Sequence, residues 1–203
     1  ASRCSQPRCR APPESAGAMK MLHVLDHSVP LHSGYAFRTL SILKQQRRLG
    51  WETAQLTSPK HTAPGPDCEV IDGYRFYRTR QGTGLVGRIP GLDQVAVIED
   101  TRRRLDEILP LERPDIIHAH SPCLNGIAAL RSKRPADCPV VYEMRASWED
   151  AAVDHGTTTE GSARYRLSRA LETWTMTRAT RVTTICEGLR NDILSRGIPS
   201  DKV

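Results

Sequence analysis

Five times along this chain a short, nearly continuous apolar run gives way to a segment whose apolar residues fall three and four apart. The runs "KMLHVLDHS" (20–28), "ETAQLTS" (52–58), "PDIIHAH" (114–120), "PVVYEM" (139–144) and "RVTTIC" (181–186) read as strands. Segments 34–50, 93–109, 123–134, 162–179 and 187–197 carry helical periodicity. Strands covered on both faces read as apolar runs, whereas half-solvated ones alternate. Strand and helix in strict alternation therefore predict an α/β fold with a Rossmann-like, doubly wound parallel sheet.

Local signals refine this reading. Ser162 is a suitable N-cap for the fourth helix, and glycines at 50 and 197 close two others. "EVIDGYRFYRT" (69–79) predicts a hairpin turning at Asp72-Gly73. The second helix is expected to stop before Pro110. Residues 145–161 read as a long polar loop, and the glycine-rich 80–92 as a flexible one. Residues 1–18 combine three arginines, three prolines and no apolar periodicity, so a disordered leader is expected ahead of one domain over 19–203.

Hydrophobic residues make up 38% of the 203 and charged ones 26%, the balance of a globular protein, and no apolar run approaches the roughly 18 residues of a membrane span. The net charge of +6 favours an anionic partner. Its arginines are scattered, and no nucleic-acid-binding motif accompanies them, so nucleic acid is not expected. The six cysteines form no C-x-x-C pair and are expected to be free thiols.

Ligands of open parallel sheets bind beyond the carboxyl ends of the strands. That selects Asp26, His27 and Ser28, then Ser58, His120 and Ser121, Glu143 to Arg145, and Cys186 with Glu187. Ser33-Gly34 opens a helix after the first strand; its amides suit a phosphate, or the glycine simply relaxes the turn. The dinucleotide and P-loop fingerprints are both absent. His118 and His120 share a strand face. A metal there needs a third ligand from Asp26, His27 or Glu143, and no metal-site spacing supports one. A substrate hydrogen bond is the expected role of His120, with His118 packed deeper in the core. Glu143 and Arg145 either grip a ligand's hydroxyl or anionic groups or pair with each other.

The stretches "HVLDHSVPLHSGYAFRTLSILKQQRRLGWETAQLTSP", "PDIIHAHSP", "YEMRASWEDAAVDHGTTTEGS" and "VTTICEGLRNDILSRGIPSDKV" resemble the N-terminal half of glycosyltransferase family 4. Their nearest likeness is to its exosortase-associated exopolysaccharide subgroup. The resemblance covers residues 19–203. It implies the acceptor-side half of a GT-B enzyme, which transfers sugar from a nucleotide-sugar donor with retained configuration and needs neither metal nor other cofactor. It implies that Ser33, Gly34 and Tyr35 face the donor diphosphate and acceptor, although many relatives have Gly-Gly where this chain has Ser-Gly. It implies that His120 meets the sugar in the cleft, where it is expected to be catalytic; Glu143 and Arg145 are expected to bind substrate from their position at the strand end. A lipid-linked or glycan acceptor and a cytoplasmic location, peripheral at the inner membrane, follow from the same likeness. The donor-side domain is missing from this chain, so half an enzyme, inactive alone, is expected. A GT-B nucleotide-sugar epimerase and a non-catalytic sugar- or polyanion-binding module are the alternatives.

Overall fold

A computed structural model describes residues 17–82 and 93–203. Residues 1–16 of the expected leader and residues 83–92 of the glycine-rich segment lie outside the described residues. The elements run β1 (Lys20–Leu25), α1 (Gly34–Arg48), β2 (Glu52–Thr57), β3 (Cys68–Ile71), β4 (Tyr74–Arg78), α2 (Asp93–Glu112), β5 (Ile116–His120) and α3 (Cys123–Leu130). Then come β6 (Val140–Met144), α4 (Trp148–Asp154), α5 (Ala163–Arg178), β7 (Arg181–Thr184), α6 (Glu187–Ser195) and a closing 3-10 turn (Ser200–Lys202).

The strands form one seven-stranded sheet in the order β3-β4-β2-β1-β5-β6-β7. Only the β3–β4 pair is antiparallel. Its two-residue turn has positive φ at both Asp72 (51°) and Gly73 (78°), the conformation that matches the twist of a tight hairpin. From β1 the chain leaves through α1 toward β2; after β4 it crosses back through α2 to β5 on the other side of β1. Right-handed crossovers in opposite directions place helices on opposite faces. The strand order therefore reverses between β1 and β5, which makes their carboxyl ends the switch point.

Alternation along the strands divides the core in two. Leu22, Val24, Ile117, Ala119, Val140, Tyr142 and Val182 point to the face held by α2, α3, α5 and α6, where Leu105, Ile108, Met176 and Ile193 meet them. Leu25 and Phe76 point the other way, against Ala36 and Leu43 of α1. On that second face the residues beyond β1 turn polar: His118 pairs in register with His23, and Glu143 with His120. On that face Arg38 of α1 reaches β6 at Glu143, while Arg181 and Thr183 of β7 are exposed.

Three expectations need correction. α2 continues through Pro110 to Glu112. The proline sits in the last turn, where it removes one terminal bond, and Glu112 is anchored by Lys20, Arg75 and the Tyr77 hydroxyl. Residues 145–161 are not all loop. Glu149 and Asp150 favour the first turn of α4, and Glu149 is buried against Arg196. Finally, Cys123, Cys138 and Cys186 are free, but Cys68 is disulfide-bonded. Spacing along the sequence does not report which sulfurs the fold brings together.

α3 approaches β6 closely at Gly126. A β-carbon there would overlap Thr175 and come within 2.9 Å of the Tyr142 ring. Tyr142 is fully buried, and its hydroxyl donates to Glu172 at 2.5 Å, so the ring has no room to retreat. Helix propensity alone favours alanine over glycine by about 1 kcal/mol. Overpacking costs about 1–3 kcal/mol and opposes it. Gly126→Ala is expected to lower the melting temperature by several degrees; an unchanged or raised value would show that α3 can shift away from the sheet.

Candidate functional site

β6 ends by placing Glu143 and Arg145 at the carboxyl edge, β5 supplies His118 and His120, and α1 lies across them. Tyr35, Arg38, Thr39 and Gln46 recur at helical spacing and all face the sheet. The centre is the buried Glu143 carboxylate, 3% exposed. Its Oε1 accepts from Arg38 Nε (3.1 Å) and Nη2 (2.8 Å). Its Oε2 faces His120 Nδ1 at 2.6 Å, Arg145 Nε at 3.1 Å and His118 Nε2 at 3.6 Å. The Arg145 guanidinium also donates to the Tyr35 carbonyl and Thr39 Oγ1 and lies 4.4 Å over the Tyr35 ring. Two guanidinium groups thus surround one carboxylate, leaving this cluster one positive charge in excess.

Behind it a hydrogen-bonded chain runs inward. His120 Nε2 and His23 Nδ1 are 2.8 Å apart, one donating to the other, and His23 Nε2 reaches the Gln46 side-chain amide at 2.9 Å. The His120 ring stacks on both others, its centroid 4.1 Å from that of His118, while the His23 and His118 rings are tilted by 44° to each other. Burial pushes His23 and His120 down to about 3 and His118 well below its usual range, so all three are neutral at pH 7. Burial works to raise Glu143, but the His120 hydrogen bond and the Arg145 charge outweigh it and hold the carboxyl well below its usual range.

The third imidazole is thus His23, from the middle of β1, rather than the Asp26, His27 or Glu143 considered from sequence. Ring nitrogens of the three histidines lie within 4.8 Å of one another. The set does not suit a metal: the rings stack rather than converge, His23 and His120 hydrogen-bond to each other, and two guanidinium groups repel a further cation.

The expected order of depth is reversed. His120 is fully buried, whereas the His118 side chain is 12% exposed. His120 is enclosed by His23, Glu143 and Arg145, whereas His118 has only the longer approach to Glu143 at 3.6 Å. Ser33 caps α1, its Oγ accepting from the Ala36 amide at 3.1 Å. Gly34 is exposed beside open space, and Tyr35 is half-buried between His27 and Arg145. Ser33, Tyr35, His120, Glu143 and Arg145 therefore gather in one region, whereas no hydrogen bond or ion pair among the described residues joins Cys186 or Glu187 to it. His23, Arg38, Thr39 and Gln46 were passed over, though the polar spacing 35, 38, 39, 46 on one helix side was a usable signal.

The chain belongs to the glycosyl transferase 4-like domain family, whose model matches residues 33–203. Among solved structures it is similar to sucrose-phosphate synthase from Thermosynechococcus elongatus, at 14% identity and a TM-score of 0.63, covering 89% of this chain and 45% of that one. It also resembles UDP-N-acetylglucosamine 2-epimerases from Rickettsia bellii (11%, TM-score 0.56, 91% and 43% covered) and Neisseria meningitidis (16%, 0.53, 91% and 45%), the latter bound to UDP-GlcNAc. These likenesses establish the GT-B Rossmann-like fold. The chain spans less than half the length of each of these three proteins. A comparison with curated protein sequences finds no match. Glycosyltransferases of this fold generally use nucleotide-sugar donors without a cofactor.

Because His23 titrates near 6.5 when unfolded and about 3 when folded, the unfolded chain binds the extra proton between those values. Stability therefore falls as pH drops through that window. Glu143, depressed in the fold, adds a loss of the same sign below about pH 5. Glu172 is pushed up to about 7 by burial and acts oppositely between about pH 4.5 and 7. Comparing parent with His23→Gln isolates the imidazole. From pH 7.5 to 5.5 the parent should lose about 1 kcal/mol more than the variant. Parallel pH profiles would show that His23 is not held neutral.

Proposed function

We propose that this chain is the acceptor-side lobe of a retaining, nucleotide-sugar-dependent glycosyltransferase of bacterial exopolysaccharide synthesis, in the exosortase-associated subgroup. The family match supports the transferase class over an epimerase or a non-catalytic binding module, since the fold alone is shared with the epimerases. The observation that carries the reading is the Glu143 cluster at the switch point, with its excess positive charge and Arg38 44% exposed in side chain.

A glycosyl transfer builds negative charge on the leaving diphosphate, which fixed cations and amides stabilise. Arg38, Arg145 and the amides of Gly34 and Tyr35 are the groups proposed to supply it on this lobe. His120 lies beneath Glu143 and Arg145, so its proposed part in turnover is to hold that pair in place. The opposing wall belongs to a second lobe, which also excludes water on closure. A lipid-linked or glycan acceptor and a peripheral place at the cytoplasmic face of the inner membrane complete the proposal. The net charge of +6 supports them, and among the described residues no helix is long and apolar enough to cross a membrane.

The test is a product assay on the full-length protein with a panel of nucleotide sugars and lipid-linked acceptors, run beside the 203-residue chain. Transfer by the long protein and none by the short one is expected. His120→Ala should lower turnover roughly ten- to a thousandfold, the scale of losing a group that sets site geometry. Donor epimerisation without transfer would establish the epimerase reading instead, and transfer by the short chain at the full rate would end the two-lobe reading.

A further inference from the structure

The outward side of α5 differs from that of α2. α2 pairs its arginines within itself: Arg102 with Glu99 and Asp106, Arg103 with Glu99, and Arg104 with Glu107. A solvated helix neutralises its charge in this way. α5 carries Arg164, Arg166, Arg169 and Arg178, and its one carboxylate, Glu172, is buried against Tyr142. Arg164 donates to the Thr157 carbonyl, and Arg169 turns to Glu149 and Asp192. The Arg166 guanidinium has no hydrogen-bond or ion-pair partner among the described residues, and that of Arg178 only lies over the Trp174 ring, 4.3 Å from its centroid.

The same side carries apolar groups. Helical spacing sets Arg166, Leu167, Ala170, Trp174, Thr177 and Arg178 along one flank. All but Leu167 line a shallow depression, and Leu167, 61% exposed, stands beside it. The Trp174 indole packs against Cys123, Leu124 and Ile127 and remains partly open. Leucine and indole gain by leaving water for an acyl boundary, while guanidinium groups beside them meet phosphates, the division of labour of helices that lie on a bilayer.

We propose that this flank of α5 docks the domain on an anionic phospholipid surface, with Arg166 and Arg178 against lipid phosphates and Leu167 and Trp174 at the acyl boundary. Charge selects this occupant. The carboxylate of α5 does not reach the flank, so its field is positive, and an anionic leaflet draws such charges from solution whereas an uncharged partner gains nothing from them. The proposal deepens the peripheral membrane place given above and rests on that reading, but its test needs no sugar transfer, so either can fail alone.

The fold places the flank where a docked lipid surface leaves the site free. α5 packs on the sheet face opposite α1, so the Glu143 cluster beneath α1 stays uncovered. Because β6 and β7 are parallel, α5 runs back from the carboxyl edge to the start of β7, about 24 Å for its 16 residues. Arg166 and Leu167 lie toward the end nearest the carboxyl edge, and Arg178 at the far end. Docked along this length, the strands lie parallel to the bilayer, and the carboxyl edge opens sideways over its surface, within reach of a lipid-linked acceptor.

The test is co-sedimentation of the 203-residue chain with vesicles of phosphatidylcholine alone and of equal phosphatidylcholine and phosphatidylglycerol. The chain should bind only the anionic vesicles, and less as salt rises. Each arginine near an anionic surface is worth roughly fivefold in binding, so the Arg166→Gln/Arg178→Gln variant should bind about twentyfold more weakly. Both positions are exposed, so the variant should melt with the parent. A second measurement uses Trp51→Phe/Trp148→Phe, which leaves Trp174 alone of the three indoles. Its emission should shift to the blue on anionic vesicles. A chain that stays in solution, or binds both kinds of vesicle alike, overturns the inference and leaves the flank to a protein partner. A double-arginine variant that binds like the parent also overturns it, moving the contact to another basic stretch such as residues 1–18. Bound protein whose Trp174 emission stays put overturns it as well, since some other surface then faces the lipid.

Discussion

A single buried carboxylate organises this domain. Removing a charge from water costs several kcal/mol unless partners replace the lost hydration. Glu143 meets that requirement with five nitrogen contacts within 3.1 Å, drawn from α1, from β5 and from the loop after its own strand. The partners cannot be dispersed without stranding the charge. The register of α1 over the sheet, the orientation of the His120 ring and the path of the chain after β6 are therefore fixed together. Hydrophobic packing, which is non-directional, could not specify these three at once.

Tyr35 joins this cluster to Asp26 and His27 at the end of β1. Its ring lies between the Arg145 guanidinium and the His27 imidazole, while its carbonyl and hydroxyl hold Arg145 and Asp26. Burial pushes its hydroxyl up, so it stays a neutral phenol throughout the working range. The ring therefore fixes the spacing between the Arg145 guanidinium and the His27 imidazole without adding a charge of its own.

The sheet was legible because its strands run apolar and its helices repeat every third and fourth residue, signals that need no long-range knowledge. The hairpin at Asp72-Gly73 and the cap at Ser162 were legible for the same local reason. What escaped depended on contacts between distant segments. α4 hides in a polar stretch because Glu149 finds Arg196 47 residues later, and Pro110 is tolerated because Glu112 is tethered by β1 and β4 residues. At the site, His120, Glu143 and Arg145 were visible as strand-end residues. The relative depth of His118 and His120 was not, because position along a strand says nothing of which side chains from other segments close over it. His23 was missed because an imidazole in mid-strand reads as core until its partner on α1 is known.

Arg196, at the end of α6, is 1% exposed in side chain and is the shared counter-ion of Glu149 on α4 and Asp192 on α6, with Arg169 of α5 alongside. α4 follows directly from the strand that carries Glu143. Because pulling α6 away would strand the Glu149 carboxylate in the interior, α4, α5 and α6 are tied as one rigid block. A push delivered at α6, at the far end of the described chain, is carried as a lever to the segment beside Arg145 rather than absorbed as local slack.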